Sequence, residues 1–158
     1  MEKTIQSFHN RLDGRVKAWA MPFSPAYCSE ELLVQAKGLA DQYSTGLTLH
    51  FNNSRQYIET CVEQHGKRPA EYLEDIGVLG PNVVLAHSLG IDEGEGECLA
   101  RTQSRAVMCP TAALKGGAGM TQTGMLPEML KRGVTVGLGT DAGNNSDLRS
   151  QKNPKGLG

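Results

Sequence analysis

No run in this sequence approaches the ~18 consecutive apolar residues of a membrane-spanning helix. The N-terminal stretch MEKTIQSFHNRLDG has no apolar segment of the kind a signal peptide carries. An excess of either charge is also missing. Sixteen Lys and Arg against seventeen Asp and Glu leave a net charge of −1, which offers nothing to recruit nucleic acid or an anionic membrane. Cysteine is sparse: Cys28, Cys61, Cys98 and Cys109 form no C-x-x-C pair. That spacing excludes a zinc ribbon and a dense disulfide framework, and it points to a reduced, cytoplasmic setting. The first strand-like run, Arg15–Phe23, is followed by no G-x-G-x-x-G, which argues against a doubly wound nucleotide binder.

What remains is a chain of 158 residues, 39% hydrophobic and 21% charged, long enough for one domain with a real core. Nineteen glycines suit many tight strand–helix turns. The spacing predicts a helix over Lys3–Leu12 closed near Gly14, then a strand over Arg15–Phe23 ended by Pro22 and Pro25. Ser29 caps a helix running to Tyr43. A strand over Thr45–Leu49 ends at His50; helices follow at Arg55–Gln64, closed by Gly66, and at Pro69–Ile76. Asn82–Ala86 is a strand ending at His87. The acidic, glycine-rich run Asp92–Glu97 reads as a loop leading into a short helix through Leu99 to Thr102. Ala106–Pro110 is a strand, Lys115–Thr123 a flexible loop, and Met125–Arg132 a helix. Val134–Leu138 is a last strand, too continuously apolar to have a wet face, with Asp141 just past its end. The residues from Asn144 to Gly158 show no periodicity, and the domain is expected to occupy 1–147 with an irregular tail over 148–158.

Five strands alternating with helices predict an α/β fold with a parallel sheet and right-handed crossovers. His50, His87 and Asp141 fall at three strand ends, where such folds place catalytic groups, and together they form a credible set for a divalent metal. His9 and His65 lie on polar helices and are expected to be solvated. Cys109 reads as a small apolar thiol inside a strand that Pro110 ends, rather than as a nucleophile. The GGAG run at Gly116–Gly119 lacks the Lys-Ser/Thr that a phosphate-binding loop needs.

Four stretches occur in a recognisable order: LTLH at Leu47–His50, NVVLAHS at Asn82–Ser88, VMCPTAALKGGAG at Val107–Gly119, and RGVTVGLGTDAGNNSD at Arg132–Asp147. In this the chain resembles the amidohydrolase superfamily, in the branch that holds the cytosine-deaminase-like enzymes, triazine hydrolases and S-adenosylhomocysteine deaminases. The resemblance implies a partial (β/α)8 barrel, about its fourth to eighth strands. It implies a metal-dependent hydrolase that acts on carbon–nitrogen or carbon–halogen bonds of a small heterocycle, with zinc or iron as the ion. By the same resemblance His50 and Asp141 are metal ligands, and His87 and Asp141 are catalytic. Asn53 and Asn144 contact substrate, and the partner is a small molecule; Thr140 and Asn144, just past the last strand, either orient Asp141 or face the pocket.

Two departures from the family pattern stand out. No H-x-H ligand pair occurs anywhere, and Asn53 stands where the family often has a glutamate that shuttles a proton. The alternative reading is a truncated, non-catalytic fragment or interaction module, and an open arc with unprotected strand edges is expected to form homo-oligomers.

Overall fold

The computed structural model describes residues 1–118 and 125–143. Four strands, β1 (Leu47–Phe51), β2 (Val83–His87), β3 (Arg105–Met108) and β4 (Val136–Leu138), form one parallel sheet in the order β1-β2-β3-β4. Around them the described helices are α1 (Glu2–Phe8), α2 (Glu30–Gln42), α3 (Arg55–His65), α4 (Pro69–Asp75), α5 (Glu93–Thr102), α6 (Pro110–Lys115) and α7 (Leu126–Lys131). None of them is long and apolar enough to cross a membrane.

Sequential strand order without a switch point is what a barrel arc requires, and the burial pattern agrees. Leu47, Leu49, Phe51, Val83 and Leu85 are buried on the face that the helices cover. Thr48, His50, Val84 and Ala86 alternate with them and are only half-buried on the other face. Among the described residues the helices therefore cover one face and leave the inner face open: the sheet is an arc of a (β/α)8 barrel. The core joins Leu33, Ala36 and Ala40 of α2, Leu73 of α4 and Leu99 of α5 to the outer face of the strands.

Where the local signals are unambiguous the elements follow them. Ser29 Oγ accepts the Leu32 N–H at the start of α2, and Gly66, with φ 69°, ends α3 in the left-handed conformation a side chain would disfavour.

Elsewhere the structure corrects the expectations. The run Arg15–Phe23 is not a strand. Ala20 alone bridges to Leu47, with Ala20 N–H donating to Gly46 O and Thr48 N–H donating to Ala20 O. The next rung would need an N–H from residue 22, which is proline, so the ladder breaks and His50 N–H turns to Phe23 O instead. Among the described residues the sheet thus has four strands, not five.

Helix α1 stops at Phe8, short of Leu12, because His9 is extended and Asn10, Leu12, Asp13 and Gly14 take positive φ around an antiparallel Arg11–Val16 bridge. The acidic run is mostly helix rather than loop: Asp92 Oδ1 accepts the Glu95 N–H and starts α5 at Glu93. Pro110 does not end a strand but begins α6, a first-turn position where its missing N–H costs nothing. The last strand is not buried on both faces, since Leu138 is 67% exposed at the sheet edge. His9 is not solvated; its ring nitrogen lies 3.1 Å from Ala18 O and 3.2 Å from Thr45 Oγ1. His65 stacks on Tyr72 at 3.8 Å. The positions 119–123 of the expected flexible loop, residue 144 and the proposed tail lie outside the described residues.

Candidate active site

His50 is carried to the C-terminal end of β1 on the inner face, paired in register with Ala86 of β2. His87 pairs with Phe51, so strict alternation would send it to the helix side with Val83 and Leu85. Its φ of +79° breaks that alternation. The ring consequently meets His50 edge to edge with the two planes nearly parallel, and His50 Nδ1 lies 2.9 Å from His87 Nε2. Asn52, Ser88 and Asp141 also adopt positive φ without being glycine. Backbone held in this sparsely populated region collects at functional sites when the surroundings enforce it.

The surroundings here do enforce it. Phe51 O and Asn52 O accept the N–H groups of Ser88 and Leu89, which ties the loop after β1 to the loop after β2. Gly139 closes the far side: a Cβ there would lie 2.9 Å from Val107 Cγ1 and 3.2 Å from Cys109 Sγ. That close approach brings the end of β4, and Asp141 beyond it, against the end of β3.

Burial holds the His87 imidazole below its usual value, with the neighbouring Asp141 charge pulling the other way and His50 adding to the depression. The ring is therefore neutral at neutral pH, with a lone pair available. Burial and the Asp141 charge push the Cys109 thiol up, against the backbone N–H groups of His87 and Asp141. Cys109 is thus a protonated, packed group between the strand ends, not an activated nucleophile.

His87, Asp141 and Asn53 share the wall of a cavity of about 770 Å³, with Leu89, Ala112 and Lys115 around them. That is the size of a small-molecule site. Asn53 Oδ1 is buried and accepts no hydrogen bond, an acceptor open to a ligand N–H. Phe23 lies 4.8 Å from the His50 ring, centroid to centroid, and forms an aromatic edge to the site.

The structure thus brings His50, His87 and Asp141 to one end of the sheet and adds Asn53 to the cavity. Asn144 lies outside the described residues. As donors for a divalent ion, the imidazole of His50 and the carboxylate of Asp141 fit by their chemistry, while His87 Nε2 stands within hydrogen-bond distance of His50 Nδ1. Among the described residues, however, no three His, Cys, Asp or Glu side chains gather as a metal set.

The sequence reading missed the support beneath the site. Glu95, fully buried, accepts from Asn52 Nδ2 at 3.1 and 3.2 Å, from Arg68 Nη2 at 2.6 Å and from Ala70 N–H at 3.1 Å. Asp92-x-x-Glu95 has the spacing of a helix N-terminus, and that signal would have placed Glu95 in the first turn of α5.

The amidohydrolase family model matches residues 1–152. The chain is 34% identical over 146 residues to a 5-methylthioadenosine/S-adenosylhomocysteine deaminase of Thermoanaerobacter pseudethanolicus, covering 91% of this chain and 33% of that protein. It is 35% identical over 140 residues to a 5'-deoxyadenosine deaminase of Methanopyrus kandleri, covering 87% and 32%. Among solved structures, an atrazine chlorohydrolase variant from Arthrobacter aurescens TC1, complexed with zinc and atraton, superposes with a TM-score of 0.83 at 25% identity. That match covers 92% of this chain and 31% of the other. The chain spans about a third of the length of the relatives it matches.

Proposed function

The chain belongs to the amidohydrolase family, and from that premise we propose that His50, His87 and Asp141 form part of a metal-dependent hydrolytic site. Its substrate would be a small planar heterocycle that loses an exocyclic amino or halogen substituent. The observation that carries this reading is the 2.9 Å approach of His50 Nδ1 to His87 Nε2 at adjacent strand ends, with His87 on a cavity wall that it shares with Asp141.

His50 and Asp141 would hold the ion, zinc or iron, within reach of His87. When bound, such an ion supplies Lewis-acid polarisation and makes water a better nucleophile near neutral pH. The chain's own residues do the rest. Asp141 takes the proton of the attacking water. His87, kept neutral by burial, accepts a hydrogen bond and orients that water. Asn53 accepts a substrate N–H at its open Oδ1. Its amide holds the ring but exchanges no proton, so the leaving group is protonated from elsewhere. The four free cysteines accord with a reducing, cytoplasmic setting.

For this 158-residue chain acting by itself a second reading has its own support. Among the described residues the metal donors stop short of the three protein ligands usual for catalytic zinc. We propose weak, exchangeable metal binding and no turnover by the isolated chain. Elemental analysis after exhaustive dialysis, beside assays with amino- and chloro-substituted heterocycles, tests both readings. Retention of much less than one ion per chain, with no turnover, is expected. A tightly held ion with turnover abolished in Asp141→Ala would establish the first reading and overturn the second. Metal binding unchanged in both His50→Ala and Asp141→Ala would overturn the site itself.

A further inference from the structure

Four segments that are separate in sequence meet at one buried carboxylate. Asn52 belongs to the loop after β1, Arg68 and Ala70 to the start of α4, Gly90 and Asp92 to the loop after β2, and Glu95 to the first turn of α5. Arg68 Nη2 donates to both Glu95 Oε2 and Gly90 O at 2.6 Å, and Arg68 Nε lies 2.7 Å from Asp92 Oδ2. Glu95 has no exposed surface, while the Arg68 side chain is 28% exposed. A carboxylate buried at this depth is tolerated because each oxygen is hydrogen-bonded and a guanidinium lies against it.

What the cluster holds is as informative as what it contains. Asn52 donates its side-chain amide to Glu95, and its backbone carbonyl accepts the Leu89 N–H. Phe51 O accepts the Ser88 N–H. These residues adjoin His50 on one side and His87 on the other, and Asn52, His87 and Ser88 all carry positive φ. Without an anchor the two loops would relax towards commoner backbone conformations and the His87 ring would return to the helix side. Glu95 itself is absent from the cavity wall.

We propose that Glu95 is a positioning residue, which acts through Asn52 and Arg68 to hold the loops after β1 and β2 so that His50 and His87 face one another. The inference rests on the reading of that pair as part of the site, and it extends that reading to residues that touch no substrate.

The test uses the full chain with 15N-labelled histidine and compares wild type with Glu95→Gln and Asn52→Ala. The second variant leaves the Glu95–Arg68 pair in place and removes the side-chain link to the loop after β1, so it remains informative where the first fails to fold. Leu33→Ala, a core truncation in α2, is the control for lost stability alone. Long-range 1H–15N spectra read the tautomers of His50 and His87, hydrogen exchange reads the Ser88 and Leu89 amides, and calorimetric titration with Zn2+ reads affinity.

Both site variants are expected to average the two ring signatures and to speed Ser88 and Leu89 exchange at least tenfold. They are expected to weaken any Zn2+ binding by roughly 10–100-fold, while Leu33→Ala leaves the ring signatures as they are. Unchanged ring signatures in Asn52→Ala, or equal changes in Leu33→Ala, would overturn the proposal. A wild-type chain that binds no Zn2+ but loses its paired ring signature in Asn52→Ala would sink the hydrolytic reading and leave the positioning role standing.

Discussion

The indole of Trp19 lies directly on Gly46, so closely that a Cβ there would stand 2.4 Å from two ring carbons. Gly46 enters β1, and the contact holds the 19–23 segment against the strand where Ala20 pairs with Leu47. Gly46→Ala must displace backbone or ring, and it is expected to destabilise the chain by about 1–3 kcal/mol, the usual cost of overpacking. Gly38 offers the internal contrast. It sits exposed within α2 with nothing near its Cβ position, so Gly38→Ala should stabilise by roughly 0.5–1 kcal/mol. Urea denaturation of both variants checks the pair; equal effects of the same sign would refute the packing argument.

Thiol reactivity should be graded by depth. Cys61 and Cys98 are 0% and 5% exposed, and burial first, then neighbouring carboxylates, pushes their thiols up to about 11. Near pH 8 roughly a thousandth of each is thiolate, so alkylation is slow. Cys28 is half-buried, the most accessible of the four. Mass spectrometry after brief iodoacetamide treatment is expected to find Cys28 modified first, with Cys61 and Cys98 protected until denaturant is added.

Glu74 accepts hydrogen bonds from Arg101 at 2.9 and 2.6 Å and from the Cys98 thiol at 3.1 Å. The Arg101 bonds, then the thiol, hold its carboxyl below the usual carboxylate range. A depressed carboxyl means that the native state binds fewer protons than the unfolded chain across that window. Its contribution is complete above the ordinary carboxylate value and is lost as pH falls through the lower, native one. Wild type should therefore exceed Glu74→Gln in stability at neutral pH, and the gap should shrink on acidification below about pH 4. A gap independent of pH would show that the contact contributes through packing alone.

The open inner face predicts self-association. Trp19, Met21 and Phe23 are 41%, 57% and 49% exposed along it, and Leu138 is 67% exposed on the β4 edge. Exposed apolar side chains gathered in this way invite association with another chain. Sedimentation is expected to show concentration-dependent association at about tens of micromolar, reduced in Met21→Lys and Leu138→Lys. A monodisperse monomer across that range would contradict this.

The sequence by itself determined the order of the elements and the chemistry at the strand ends. Continuous apolar runs such as Val83–Leu85 can only be strands covered on at least one face, and strand–helix alternation leaves a parallel sheet in chain order. The position of His50, His87 and Asp141 follows from where those runs stop. Even the missing fifth strand was written locally, since Pro22 has no N–H for the rung that Thr48 O would accept. Tertiary structure alone decided the rest. Alternation sends His87 to the wrong face, and only a positive φ enforced by the adjoining loop brings it to His50. An acidic, glycine-rich run looks like solvent-exposed loop until Arg68, twenty-seven residues away, lies against Glu95. His9 looks solvated until Thr45, thirty-six residues on, meets its ring. Periodicity and capping act within a turn or two of the backbone, so they are legible in sequence. A buried polar group, in contrast, is stable only beside partners that the folded chain delivers from far along its length.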